Sequence, residues 1–183
     1  MSFRYKRAVP SQINKALKRR EINAAFISSI ESKKCKCTDL GIIANKKVYS
    51  VLLIKGENQK DPASASSNRL AKILNLEGKV LIGDAALKYY LNGGEAIDLA
   101  EEWYKKTNLP FAFARLCYNQ HGKAIKKIAK KFARTKVKIP QYILKKEAKK
   151  RGITAKQLTW YLQYIYYNLE YKEKRSLKKF LNS

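Results

Sequence analysis

The chain has 183 residues, enough to bury one sizeable core or two small lobes. Apolar residues make up 45% and charged residues 30%, which argues against a disordered chain, and no apolar run approaches the roughly 20 residues of a membrane span. The formal charge is +26 and uneven: from Lys123 to Ser183 there are 19 Lys and Arg against 3 Glu. Such a balance raises nucleic acid, an anionic membrane or an acidic ligand as partner. A solvated basic surface explains the same numbers, so nucleic acid is the weaker expectation and a membrane is not expected. The opening MSFRYKRAVP has no apolar core of signal-peptide length, so the expected location is the cytoplasm. Cys35, Cys37 and Cys117 are an odd number and lack C-x-x-C spacing, and His121 is the single histidine. Three reduced thiols, no metal site and no cofactor are expected.

Phe3–Val9 alternates and reads as a strand. Pro10-Ser11 opens a helix through Arg20, with Ile13 and Leu17 on one face. Ala24–Ile27 reads as a short buried strand ending in Ser28-Ser29-Ile30-Glu31. Cys37–Ala44 leads to a turn at Asn45-Lys46-Lys47, and Val48–Ile54 (VYSVLLI) is rich in β-formers. Gly56–Pro62 is a loop. Small polar residues, Ser64-Ala65-Ser66-Ser67, then start a helix with Leu70, Ile73 and Leu74 at helical spacing.

Lys79–Leu116 reads as strand, helix, loop, helix, strand. The run Lys79–Ile82 stops at Gly83, and Asp84 is placed to cap a helix over Ala85–Leu91. Asn92-Gly93-Gly94 ends that helix. Asp98-Leu99-Ala100-Glu101 has capping-box spacing and opens a second helix through Trp103. Asn108-Leu109-Pro110 breaks it before the apolar run Phe111–Leu116. Gly122–Arg134 and Gln141–Arg151 read as basic amphipathic helices, the first with Ile125, Ile128 and Phe132 on one face. Thr154-Ala155-Lys156-Gln157 is a capping box opening a helix that presents Leu158, Tyr161, Leu162 and Ile165. Seven aromatics lie between Trp160 and Phe180. Among lysines they are able to stack bases, but core and snorkelling tyrosines are the expected reading.

GDAAL at Gly83–Leu87 and DLAEEWYKKTNLPFAFA at Asp98–Ala114 resemble, in order and spacing, the chorismate dehydratase family of the futalosine route to menaquinone. PSQINKALKRREINAAFISSIES, VYSVLL and the C-terminal GITAKQLTWYLQYIYYNLEYKEKRSLKKFL resemble it too. The chain departs at Ala100 and Asn108, where the family tends to have glycine, and at Ala65, where it often has arginine. The resemblance implies an α/β, two-lobed type II periplasmic-binding-protein-like fold. Residues 1–50 and 114–183 would form the first lobe, with a helical C-terminal part, and 51–113 the second. It further implies a hydro-lyase, a carbon–oxygen lyase that converts chorismate to 3-[(1-carboxyvinyl)oxy]benzoate and water without a cofactor.

On that resemblance Ser50, Ser64, Ser66 and Ser67 are the candidate groups for substrate carboxylates. Serine hydroxyls donate to such oxygens, and a helix N-terminus supplies further donors. Ser28 and Ser29 are candidates from their place at a strand's C-terminal end, and Asp84 is a lesser one. The family's opening strand, with its cleft asparagine, has no counterpart here. The first lobe is therefore expected to be incomplete at its N-terminus and its strand edges short of partners, as in a shortened gene product or an inactive remnant. The related 1,4-dihydroxy-6-naphthoate synthase, a solute-binding protein of the same fold and a basic nucleic-acid-binding module remain the alternatives.

Overall fold

The computed structural model describes residues 4, 5, 7–135 and 137–183. Helix α1 (Pro10–Lys18) starts with proline in its first turn, where the missing N–H costs nothing, and buries Leu17 against Ile27 and Cys117. Strand β1 (Ala24–Ser28) follows, then a 3₁₀ turn (Ser29–Lys34) and β2 (Lys36–Ala44). Next come β3 (Val51–Ile54), α2 (Ala65–Ile73), β4 (Lys79–Ile82), α3 (Gly83–Leu91), β5 (Ile97–Asp98) and α4 (Leu99–Thr107). Strand β6 (Phe111–Tyr118) precedes α5 (Gly122–Arg134), α6 (Gln141–Arg151), α7 (Ala155–Leu162), β7 (Tyr166–Asn168) and α8 (Tyr171–Asn182).

Two antiparallel sheets result, a four-stranded one in the order β1-β6-β2-β7 and a three-stranded one in the order β4-β3-β5. The chain passes from the first to the second after Ala44 and returns at Phe111. The largest apolar cluster draws on both: Ala44 and Phe111 from one, Val51 and Leu53 from the other, with Leu70, Trp103 and Phe180 from the helices. Trp103 is fully buried, meets Phe111 and Phe180 edge-on, and donates its indole N–H to Ser176 Oγ at 2.8 Å. An indole buried that deeply needs such a partner, which Ser176 brings from α8. Among the described residues no helix is long and apolar enough to cross a membrane.

Several sequence expectations are corrected. Residues 3 and 6 lie outside the described residues, and Arg4, Tyr5 and 7–9 form no strand. All five are exposed, with neither a ladder partner nor a buried face to hold an extended run. Strand β1 instead pairs directly with β6, from Ala24↔Tyr118 to Ser28↔Ala114. The expected strand over Val48–Ile54 begins only at Val51, because Tyr49 sits at φ 61°. Cys37 and Cys117, opposite one another on β2 and β6, form a disulfide, so only Cys35 is a free thiol. The apolar face of α5 is buried at Ile125 and Ala129 but leaves Ile128 and Phe132 each 41% exposed.

Candidate functional site

The segment before β3 is built by one carboxylate. Asp98 is the N-cap of α4, and its Oδ1 accepts from Ala100 N and Glu101 N at 3.0 and 3.2 Å. Its Oδ2 reaches fifty residues back to accept from Val48 N at 2.8 Å and Tyr49 N at 2.7 Å. Burial pushes the Asp98 carboxyl above its ordinary value, while the four backbone donors favour its charged form. The Tyr49 ring is held between Tyr90, Trp160 and Tyr164, with centroids 4.7, 4.8 and 4.6 Å away.

Ser50 follows directly. Its carbonyl accepts from Gly83 N, at the start of α3, at 2.8 Å. Its hydroxyl lies 2.8 Å from the Tyr161 hydroxyl on α7. Burial raises the Tyr161 phenol above its ordinary value, with the bond to Ser50 pulling the other way. Beside this pair Asp84 does not cap α3, whose N-cap is Ile82. It meets Arg151 Nε at 3.1 Å, because a residue already inside the first turn points its side chain away from the helix's free donors. Arg151 also holds Glu147 at 2.8 Å, and its hydrogen bond together with that from Lys150 pulls the Glu147 carboxyl down to about 2.

The other candidate serines collect at the start of α2. Ser64 is its N-cap, accepting from Ser67 N at 3.3 Å and donating to Ser67 Oγ at 2.7 Å. Ser66 Oγ accepts from Ile30 N at 3.2 Å, which sets α2 against the 3₁₀ turn that follows β1. There Ser29 donates to the Ala112 carbonyl at 2.6 Å. Asn14 brackets Ser28, donating to its hydroxyl and accepting from its N–H, each at 3.0 Å. Thus Ser28, Ser29, Ser64, Ser66 and Ser67 form one neighbourhood and Ser50 with Asp84 another. Among the described residues no hydrogen bond joins the two.

All the candidate serines are buried: Ser50 is 5% exposed, Ser64 8%, and Ser66 and Ser67 1% each. Two shallow basins of about 400 and 310 Å³, one lined by Lys18, Arg20, Lys34 and Cys35 and one by lysines of α5, contain none of them. Ser50 is closed off from solvent, with the Tyr161 hydroxyl against its own. Tyr161 and Arg151 carry no signal that singles them out from sequence, because Tyr161 reads as a core position beside Leu158 and Leu162 and Arg151 as one more charge on a basic amphipathic helix. The capping-box spacing finds Asp98, but only half of what its carboxylate does.

Comparisons with known proteins agree with this arrangement of elements. The family described as menaquinone biosynthesis matches residues 66–183. A chorismate dehydratase from Campylobacter jejuni is 51% identical, across all of this chain and 84% of its own length. A chorismate dehydratase from Thermus thermophilus is 26% identical, across 97% of this chain and 85% of its own length. A crystal structure of a protein from Archaeoglobus fulgidus superposes with a TM-score of 0.66 at 13% identity, over 96% of this chain and 83% of that one, and shares the mixed α/β fold. With a match of that extent to the family and half its residues identical to a curated member, the chain belongs to the chorismate dehydratase family of menaquinone biosynthesis.

Proposed function

We propose that the chain is a hydro-lyase that converts chorismate to 3-[(1-carboxyvinyl)oxy]benzoate and water. The observation that carries this reading is the 51% identity with the Campylobacter jejuni chorismate dehydratase across the whole chain. The chemistry asks little of side chains. The enolpyruvyl carboxylate of the substrate takes the ring proton, the ring hydroxyl leaves with a proton as water, and the ring becomes aromatic. No metal or cofactor is needed. The protein's part is to hold two carboxylates in one orientation and exclude bulk water.

In this reading the two sheets are the floors of two lobes of a type II periplasmic-binding-protein-like fold, the first from 1–50 and 114–183 together with Phe111–Phe113, which pair in its sheet, and the second from the rest of 51–113. Substrate lies between them. Ser50 donates to one carboxylate, and Ser66 and Ser67, with Ser64 and the first-turn amides of α2, serve the other. Ser28 and Ser29 back that second position. What supports this is the burial of these hydroxyls at two helix starts and beside a strained turn. The test is incubation of the purified protein with chorismate, followed by absorbance and mass. Appearance of the aromatic product with loss of one water is expected, and no product at high enzyme concentration overturns the reading. If Ser50→Ala and Ser66→Ala both leave turnover and substrate affinity unchanged, the carboxylate assignment falls while the activity stands.

A further inference from the structure

The Ser50 and Tyr161 hydroxyls are bonded to each other, and neither has another partner among the described residues. Two hydroxyls bring two protons, and the single bond between them uses one. One O–H is then left without an acceptor among the described residues: that of the partly buried Tyr161 if Ser50 donates, that of the almost wholly buried Ser50 if Tyr161 donates. The second arrangement leaves an unpaired buried donor, which is unfavourable unless a ligand completes it, and the surroundings hold the Ser50 backbone in place. Tyr49 keeps a left-handed backbone that a bulky residue rarely adopts, and three rings and the Asp98 carboxylate fix it there. Strain retained in this way is characteristic of sites that must aim a group.

We infer that Tyr161 is a positioning residue: its phenol donates to Ser50 Oγ, leaves the serine proton free, and so aims Ser50 at a carboxylate oxygen of the substrate. The inference rests on the assignment of Ser50 to substrate binding made above. Burial keeps the phenol protonated at neutral pH, so it remains a donor through the working range. The ring is anchored among Leu144, Ala148 and Leu158 of the α6–α7 pair, and the capping box at Thr154 fixes where α7 begins. The helical C-terminal third thereby reaches Ser50, 111 residues earlier in the chain.

The experiment is a double-mutant cycle on kcat/KM for chorismate with Ser50→Ala, Tyr161→Phe and the pair, each checked for native near-ultraviolet circular dichroism. Ser50→Ala is expected to lower kcat/KM by about 10- to 100-fold, the worth of a hydrogen bond to a charged group. Tyr161→Phe, which keeps the ring, is expected to lower it by a comparable factor, and the double variant to be no worse than Ser50→Ala alone. Fully multiplicative losses, or a Tyr161→Phe protein within twofold of the parent or faster, overturn the inference while leaving Ser50 in its role. An unchanged Ser50→Ala protein overturns the underlying assignment instead. Should Tyr161→Phe fold poorly, 3,5-difluorotyrosine at position 161 supplies a second readout, since its phenol ionises near neutrality. Burial raises that ionisation too, so its kcat/KM is expected to fall above neutrality where the parent's does not, and profiles that stay parallel across the pH at which the fluorinated phenol is seen to ionise overturn the inference.

Discussion

The start of α2 and the turn before β3 each bury a serine hydroxyl beside a helix N-terminus, yet they spend those hydroxyls differently. At α2 the groups serve one another: Ser64 and Ser67 are bonded together, and Ser66 holds Ile30 N. Most of these partners are a few residues apart, and the arrangement is that of a well-made cap. At Ser50 the partner is a phenol from the far end of the chain, and the backbone just before it is left-handed at Tyr49. Burial of a polar side chain by itself says little. What separates the two is where the partners come from, mostly within one turn at α2 and 111 residues away at Ser50.

The comparison can be broken most severely at Asp98. Asp98→Ala removes the α4 cap, worth about 1 kcal/mol, and strands the Val48 and Tyr49 amides, at about 1–3 kcal/mol each if they stay buried. A loss of about 3 kcal/mol or more in urea unfolding is expected, together with loss of turnover as the Tyr49 turn relaxes. A loss below about 1 kcal/mol would show that the clamp does not hold the turn. Ser66→Ala is next, at about 1–3 kcal/mol for the abandoned Ile30 N–H. Ser64→Ala is expected to cost about 1 kcal/mol as a lost N-cap, readable as a lowered Tm. At the surface, Arg151→Ala breaks partly exposed ion pairs with Asp84 and Glu147 and should cost about 1 kcal/mol, the smallest of these losses.

A last contrast appears only in alkali. Burial and the neighbouring Tyr164 hydroxyl push Tyr49 up to about 12, and burial raises Tyr161 as well. Both phenols thus keep their protons in the folded state where the unfolded chain, titrating near 10, has lost them. Their contribution is complete below about pH 10 and is lost at higher pH, for Tyr49 as pH rises toward 12, so stability falls across that window. Hydrogen exchange is expected to show loosening around Val48–Ser50 before the start of α2, whose serines do not titrate. Simultaneous loosening of both would contradict that order.

Local signals were readable from sequence where their cause is local. The α2 start, the Thr154 capping box and the Asp98 cap each depend on residues within four positions, and each forms. Distant causes were not readable. Val48–Ser50 has the composition of a strand, but a carboxylate fifty residues on and three aromatic rings turn it aside. Tyr161 looks like one more core tyrosine until α7 is seen to end at Ser50. Phe3–Val9 alternates as a strand does, but alternation supplies no partner. Cys37 and Cys117 are eighty residues apart, and only the β2–β6 register sets them face to face.

Asp98 has one more consequence. Its two oxygens tie the beginning of α4 to the peptide units of Val48 and Tyr49, so the helix start and the distant turn share one side chain. Unwinding the turn by itself would leave a buried carboxylate with half of its donors, so the helix start bears part of the penalty for any motion of residues fifty positions earlier.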